Sequence, residues 1–201
     1  MRDSTAKRIR KVFEDGNGFA RTSELLDSGA QMRQITELIK AGKIIRIKNG
    51  LYNWQELTEG KDIIYRIASL IVPKGIICLG TALAYHRLTM DNPWEISMAV
   101  PRNYAVKLAD YPPIRTYAFN ERMYGTGIDV IGEGKGGFRI YDKEKTICDV
   151  TKFEKYIGSN AAIEAVRTYV NGSSRNFDLL MRYAKICGVV KKLEIRIAML
   201  L

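Results

Sequence analysis

Histidine is almost absent from this chain: His86 is the only one in 201 residues. Cysteine is nearly as scarce, and Cys78, Cys148 and Cys187 are odd in number, far apart and each set among apolar residues. That pattern argues against a disulfide framework or a Cys/His zinc site and points to reduced, buried thiols. Long apolar runs are also missing. The most apolar one, residues 63–72, is broken by Tyr65, Arg66 and Ser69, and no apolar segment of the signal-peptide kind is found near the N-terminus. Neither a membrane span nor secretion is indicated, so a cytoplasmic protein is expected. No internal repeat is found.

Positive charge is what the chain has in excess. Its 32 Lys and Arg against 22 Asp and Glu give a net +10, a field that attracts phosphate polyanions and makes nucleic acid the leading partner class. With 46% hydrophobic and 27% charged residues, the chain has material for one large or two small globular cores, and disorder is not expected. Residues 1–54 hold 11 basic and 6 acidic side chains, the remainder 21 and 16. The excess is therefore about three times denser per residue at the N-terminal end.

In "STAKRIRKVFEDG", Ala6, Ile9, Val12 and Phe13 recur at helical spacing, with Ser4 or Thr5 as N-cap and Gly16 as terminator. After the short apolar "GFA", "RTSELLDSG" offers Thr22 or Ser23 as N-cap, a Leu25-Leu26 face and Gly29 as a stop. "AQMRQITELIKAG" then carries Met32, Ile35, Leu38 and Ile39 on one face and ends at Gly42. Two short helices about a Gly-containing turn are the helix-turn-helix pattern. "KIIRIKNGLYNW", residues 43–54, follows as two strand-like runs about Asn49-Gly50, a pair that tolerates the positive φ of a type I′ hairpin. With Ile45 and Ile47 packing on the helices, Arg46 and Lys48 would face outward.

The expected organisation is therefore a winged helix-turn-helix over residues 1–54 and an α+β domain over residues 55–201, divided at the polar stretch from Gln55 to Asp62. In the second domain, helices are expected over Asp62 to Val72 and Leu79 to Leu88. Strands are expected over residues 95–100, 113–119, 127–132 and 138–142, and their turn-rich connections predict a small, mainly antiparallel sheet. Four apolar-striped segments make the last sixty residues helical.

A helix of this kind enters the major groove with its N-terminal residues at base edges. Gln31, Arg33 and Gln34 stand there, Gln suited to adenine and Arg to guanine. Lys40, Lys43, Arg46, Lys48 and Asn49 are expected at phosphates, which adds affinity and salt dependence rather than sequence reading. Arg21 and Thr22 would meet the backbone at a helix start. "VIGEGKGG" invites enzyme readings. As a phosphate loop it lacks the Gly-Lys-Ser/Thr order, because Lys135 precedes Gly136-Gly137. As a metal nuclease it would use Asp129, Glu133 and Lys135, but Asp129 and Glu133 stand too close in sequence, and the glycines predict a mobile hairpin tip. His86 is expected to be structural and hydrogen-bonded. Asp149 is expected as a helix-surface partner of Lys145 or Lys152. Lys185, Lys191, Lys192 and Arg196 offer a second basic surface or an ordinary solvated face. No catalytic residue, cofactor or metal is expected.

The chain resembles the AbiEi antitoxins of type IV, abortive-infection toxin–antitoxin systems. Four segments carry the resemblance over nearly the whole length: "IIRIKNGLYNW" with Gly50 and Tyr52, "GTALAYHRLT", "ISMAVPRNY" and "RIYDKEKTICDV". Arg87 departs from the pattern, since a glycine is common after the histidine. The resemblance implies a non-enzymatic autorepressor that binds double-stranded operator DNA with inverted repeats, and bends it. It also implies an antitoxin that counters a nucleotidyltransferase toxin without a stable complex. From the residues alone, a small-molecule-sensing regulator and, more remotely, the DNA-targeted nuclease stand beside it.

Overall fold

The computed structural model describes residues 3–58, 60 and 62–200. Among them lie eleven α-helices and two small sheets. By density of packing the chain divides into two compact units. One comprises Met1–Ile71 with Lys107–Pro112 and Gly132–Phe138; the other comprises Val72–Val106, Pro113–Ile131 and Arg139–Leu201. The expected boundary stretch includes residues 59 and 61, which lie outside the described residues, and Gln55–Leu57 within it forms a 3-10 turn.

The first unit begins with α1 (Asp3–Asp15), β1 (Phe19–Arg21), α2 (Thr22–Asp27), α3 (Met32–Lys40), β2 (Ile44–Lys48) and β3 (Leu51–Trp54), followed by α4 (Ile63–Ile71). Ser4 and Thr5 sit inside α1, so neither is its cap. The three strands form an antiparallel sheet in the order β1-β3-β2. β3 is central, and all four of its residues are buried. The core joins Ile9 and Phe13 of α1 to Leu25, Ile35, Leu38, Ile44, Tyr52 and Trp54. Phe13 meets Trp54 edge to face at 5.5 Å, a preferred aromatic geometry.

The second unit contains β4 (Ile76–Ile77), α5 (Leu79–Tyr85), β5 (Ile96–Pro101), β6 (Ile114–Phe119), α6 (Glu121–Tyr124), β7 (Ile128–Ile131) and, from Arg139 onward, β8 (Phe138–Tyr141). Five helices follow: α7 (Lys143–Lys152), α8 (Glu154–Ile157), α9 (Ser159–Asn171), α10 (Phe177–Cys187) and α11 (Val190–Ala198). The strand order is β6-β5-β4-β8-β7. The sheet is not mainly antiparallel, as its turn-rich links suggested: β5 runs parallel to β6 and β4 parallel to β8, while β4 and β5 are antiparallel. A parallel neighbour needs a crossover of about a dozen residues, and the irregular stretch between β5 and β6 is long enough without a helix.

Asp142 caps α7 by accepting from the Lys145 N–H at 2.7 Å, as short polar side chains do at helix starts. Asp149 is not on the helix surface. Its carboxylate and the Lys145 ammonium are both fully buried and 2.6 Å apart, with the ammonium 3.9 Å from the Tyr141 ring centroid. All three cysteines are buried and free. His86 ends α5 as its C-cap, and its Nε2 donates to the Tyr141 carbonyl at 2.7 Å. Lys192 and Arg196 both pair with the single carboxylate of Glu154, which balances one of the four charges of the suspected second basic surface.

Candidate nucleic-acid interface

The N-terminal ends of α2 and α3 are built by one device used twice. At α2 the Arg21 N–H donates to Glu24 Oε2 at 2.7 Å, so the cap residue is Arg21, not Thr22 or Ser23. At α3 the Gln31 N–H donates to Gln34 Oε1 at 2.8 Å. Each pairing gives an otherwise orphaned amide a partner from three residues ahead, the reciprocal half of a capping box. Gln34 is thus committed through its carbonyl oxygen to the helix start.

Buried Ile35 and Leu38 anchor α3, which leaves Gln31, Arg33, Thr36, Glu37 and Lys40 exposed. Arg33 lies 3.8 Å from Glu37 with its side chain 79% exposed, a surface pair worth little and readily exchanged. Lys43 follows after Gly42 and is exposed. Gln31, Arg33, Lys40 and Lys43 therefore belong to one continuous helix-to-strand surface segment.

The hairpin differs from its expected pattern. Ile44 is the buried residue, Ile45 is 45% exposed, and the pairing shifts between Arg46 and Lys48. A bulge reverses the outward alternation after itself, and Lys48 turns inward. Its Nζ donates to the Ile71 carbonyl at 2.9 Å, and burial, with the nearby Arg21 charge, lowers its pKa. Arg46 stays exposed and donates to Asn49 Oδ1. Only Gly50 of the turn has positive φ, at 78°, which fits a turn with a glycine bulge rather than the type I′ turn that needs both residues there. The Thr22 N–H donates to the Gly50 carbonyl at 3.0 Å. Arg21 and Thr22 are thereby brought to the turn of the hairpin, beside Asn49.

Two contributors escaped the sequence reading. Lys135 Nζ lies 2.5 Å from both carboxylate oxygens of Glu24. Burial pushes the Glu24 carboxyl up, but the bonds from Lys135 and the Arg21 N–H prevail and hold its pKa below the ordinary value. The spacing from Arg21 to Glu24 is a visible capping signal; nothing local points to Lys135, 111 residues away. The glycine-rich segment is also no free tip. Gly136 is buried, and a Cβ there would stand 2.8 Å from Asn17 Nδ2. Of the nuclease candidates, Asp129 and Glu133 are exposed while Lys135 is held by Glu24. Among the described residues no three His, Cys, Asp or Glu are grouped so as to hold a metal ion. No described helix is long and apolar enough to cross a membrane.

These elements define an α+β protein whose first unit exposes basic residues on α1 (Lys7, Arg8, Arg10 and Lys11) as well as on α3 and the hairpin (Arg33, Lys40, Lys43 and Arg46). No family model matches the chain, and no curated protein does. Among solved structures, the crystal structure of the RV2827C protein from Mycobacterium tuberculosis is similar, with a TM-score of 0.58 and 11% identity, covering 97% of this chain and 81% of that one. At that identity the likeness speaks for the fold alone.

Proposed function

We propose that this protein is a winged-helix DNA-binding autorepressor and antitoxin of the AbiEi kind, acting in the cytoplasm. The observation that carries the DNA-binding part is the helix, strand, helix, helix, hairpin order, with Gln31, Arg33, Lys40 and Lys43 exposed along α3 and its exit. In this reading α3 lies in the major groove of operator DNA with Gln31 and Arg33 at base edges, and two copies occupy an inverted repeat. Lys40, Lys43 and Arg46 neutralise phosphates. Arg21 and Thr22 meet the backbone where Lys135 has cancelled the charge of Glu24; without that pair the carboxylate would repel a phosphate. Lys48 acts from within, holding the hairpin.

The antitoxin part rests on the resemblance of the four sequence segments to AbiEi proteins, and assigns to the second unit the countering of a nucleotidyltransferase toxin without a stable complex. An electrophoretic shift with DNA from upstream of its own gene tests the first part. Retardation at protein concentrations that leave shuffled DNA free supports it, and equal retardation of both refutes it. Co-expression with a nucleotidyltransferase encoded beside it tests the second: restored growth is expected, and unrelieved toxicity overturns the antitoxin assignment.

A further inference from the structure

A cavity of about 190 Å³ opens within the second unit, walled by Trp94, Tyr117 and Tyr156, with Asp91, Glu95 and Gly80 completing its character. Among the described residues that line it none is Lys or Arg, although the whole chain carries a net +10. The combination is selective. Aromatic rings offer a negative face to cations, strongest for indole, and the attraction grows as the ion leaves water. Carboxylates at the same wall reinforce that sign and repel phosphates and other anions.

The rings already draw in the chain's own cations. The Arg115 guanidinium lies 5.6 Å from the Tyr117 centroid and the Lys155 ammonium 4.8 Å from that of Tyr156. Arg115 also pairs with Glu95 at 3.5 Å, with the Arg115 side chain 54% and the Glu95 side chain 18% exposed, so an entering cation competes with Arg115 for that carboxylate. Trp94 is 78% exposed. A large indole left mostly in water beside two carboxylates is surface awaiting a ligand more than surface stabilising the fold.

We propose that this cavity is a binding site for a small organic cation, an alkylammonium or guanidinium compound, seated against Trp94 and the mutually packed rings of Tyr117 and Tyr156, charge-matched by Asp91 and, on displacement of Arg115, by Glu95. Its volume suits a compact ion rather than a nucleotide or drug-sized ligand. Every lining residue belongs to the second unit, so the site stands or falls independently of the DNA-binding proposal.

Calorimetric titration of the full chain with tetramethylammonium chloride or agmatine, at constant ionic strength, tests it against tert-butyl alcohol, an uncharged compound of similar bulk. The expected result is saturable one-to-one binding of at least one cation, with the alcohol weaker by about tenfold or more. Trp94→Ala, at an exposed position, should weaken cation binding about tenfold with an unchanged melting temperature. Gly80→Leu should abolish it, because a Cβ at Gly80 meets no atom within 4 Å and the added side chain enters open space. Should Gly80→Leu fail to fold, Trp94→Ala decides alone. Absence of binding by both cations, equal binding of the alcohol, or full cation affinity in Trp94→Ala would each overturn the proposal.

Discussion

Glu24 and Lys135 illustrate how a single ion pair can prepare a surface for an anion. Glu24 spends its carboxylate on the Arg21 N–H and on Lys135, so the start of α2 carries no net negative charge from that residue. Lys135→Met should leave the carboxylate facing phosphate and lower DNA affinity about tenfold, while Lys135→Met with Glu24→Gln should recover most of the loss. Fluorescence anisotropy on operator DNA measures both. Lys145 poses the opposite case, a cation buried completely with Asp149. Lys145→Met strands a buried carboxylate and should cost about 3–5 kcal/mol in urea unfolding, whereas replacing both residues by apolar ones should cost far less. Arg87 holds φ at 57°, a conformation glycine adopts freely, and glycine is common at this place in the family the sequence resembles. Arg87→Gly is expected to stabilise the fold by about 0.5–1 kcal/mol, read from the same urea midpoint.

Among the elements, the hairpin shows what periodicity reveals and where it fails. Asn49-Gly50 announced the turn, and the apolar-basic runs announced both strands. The inward residue is not fixed by pattern because three isoleucines within four positions, Ile44, Ile45 and the bulged Ile47, are chemically alike, so only the register chooses among them. Gly50→Ala, at a φ of 78°, should cost about 1–2 kcal/mol and shift the urea midpoint. The longer helices are legible from their apolar stripes, as α3, α9, α10 and α11 show, whereas α7 and the four-residue α8 read as a single segment. β1 and β4, of three and two residues, are too short to carry a period and were missed. The parallel pairing of β5 with β6 was also hidden, since an irregular crossover resembles a string of turns. Of the interface, the exposed cations of α3 could be read directly, but the inward course of Lys48 and the arrival of Lys135 depend on tertiary contacts that no local pattern encodes.

For the molecule as a whole, pH and charge govern the accessible tests. Burial raises the pKa of Asp149 to about 6 despite the attraction of Lys145. A carboxyl with a raised folded pKa binds its proton more tightly when folded, so stability is greatest below the unfolded pKa and falls as pH rises from about 4 to about 6, by as much as about 3 kcal/mol. Burial raises the pKa of Asp142 to about 6 as well, so thermal unfolding across that range should show the decline, and Asp149→Asn should make it shallower while leaving the share of Asp142. The net charge of +10 makes attraction to any duplex expected, so retention of DNA at low salt decides nothing. The decisive measurement is an anisotropy titration near physiological salt, with wild type and Arg33→Ala each titrated against the protein's own upstream duplex and a shuffled duplex of equal length. Wild type is expected to prefer its own duplex by about a thousandfold or more, and Arg33→Ala to lose about 1–3 kcal/mol of that preference. Equal affinity of wild type for both duplexes would contradict it.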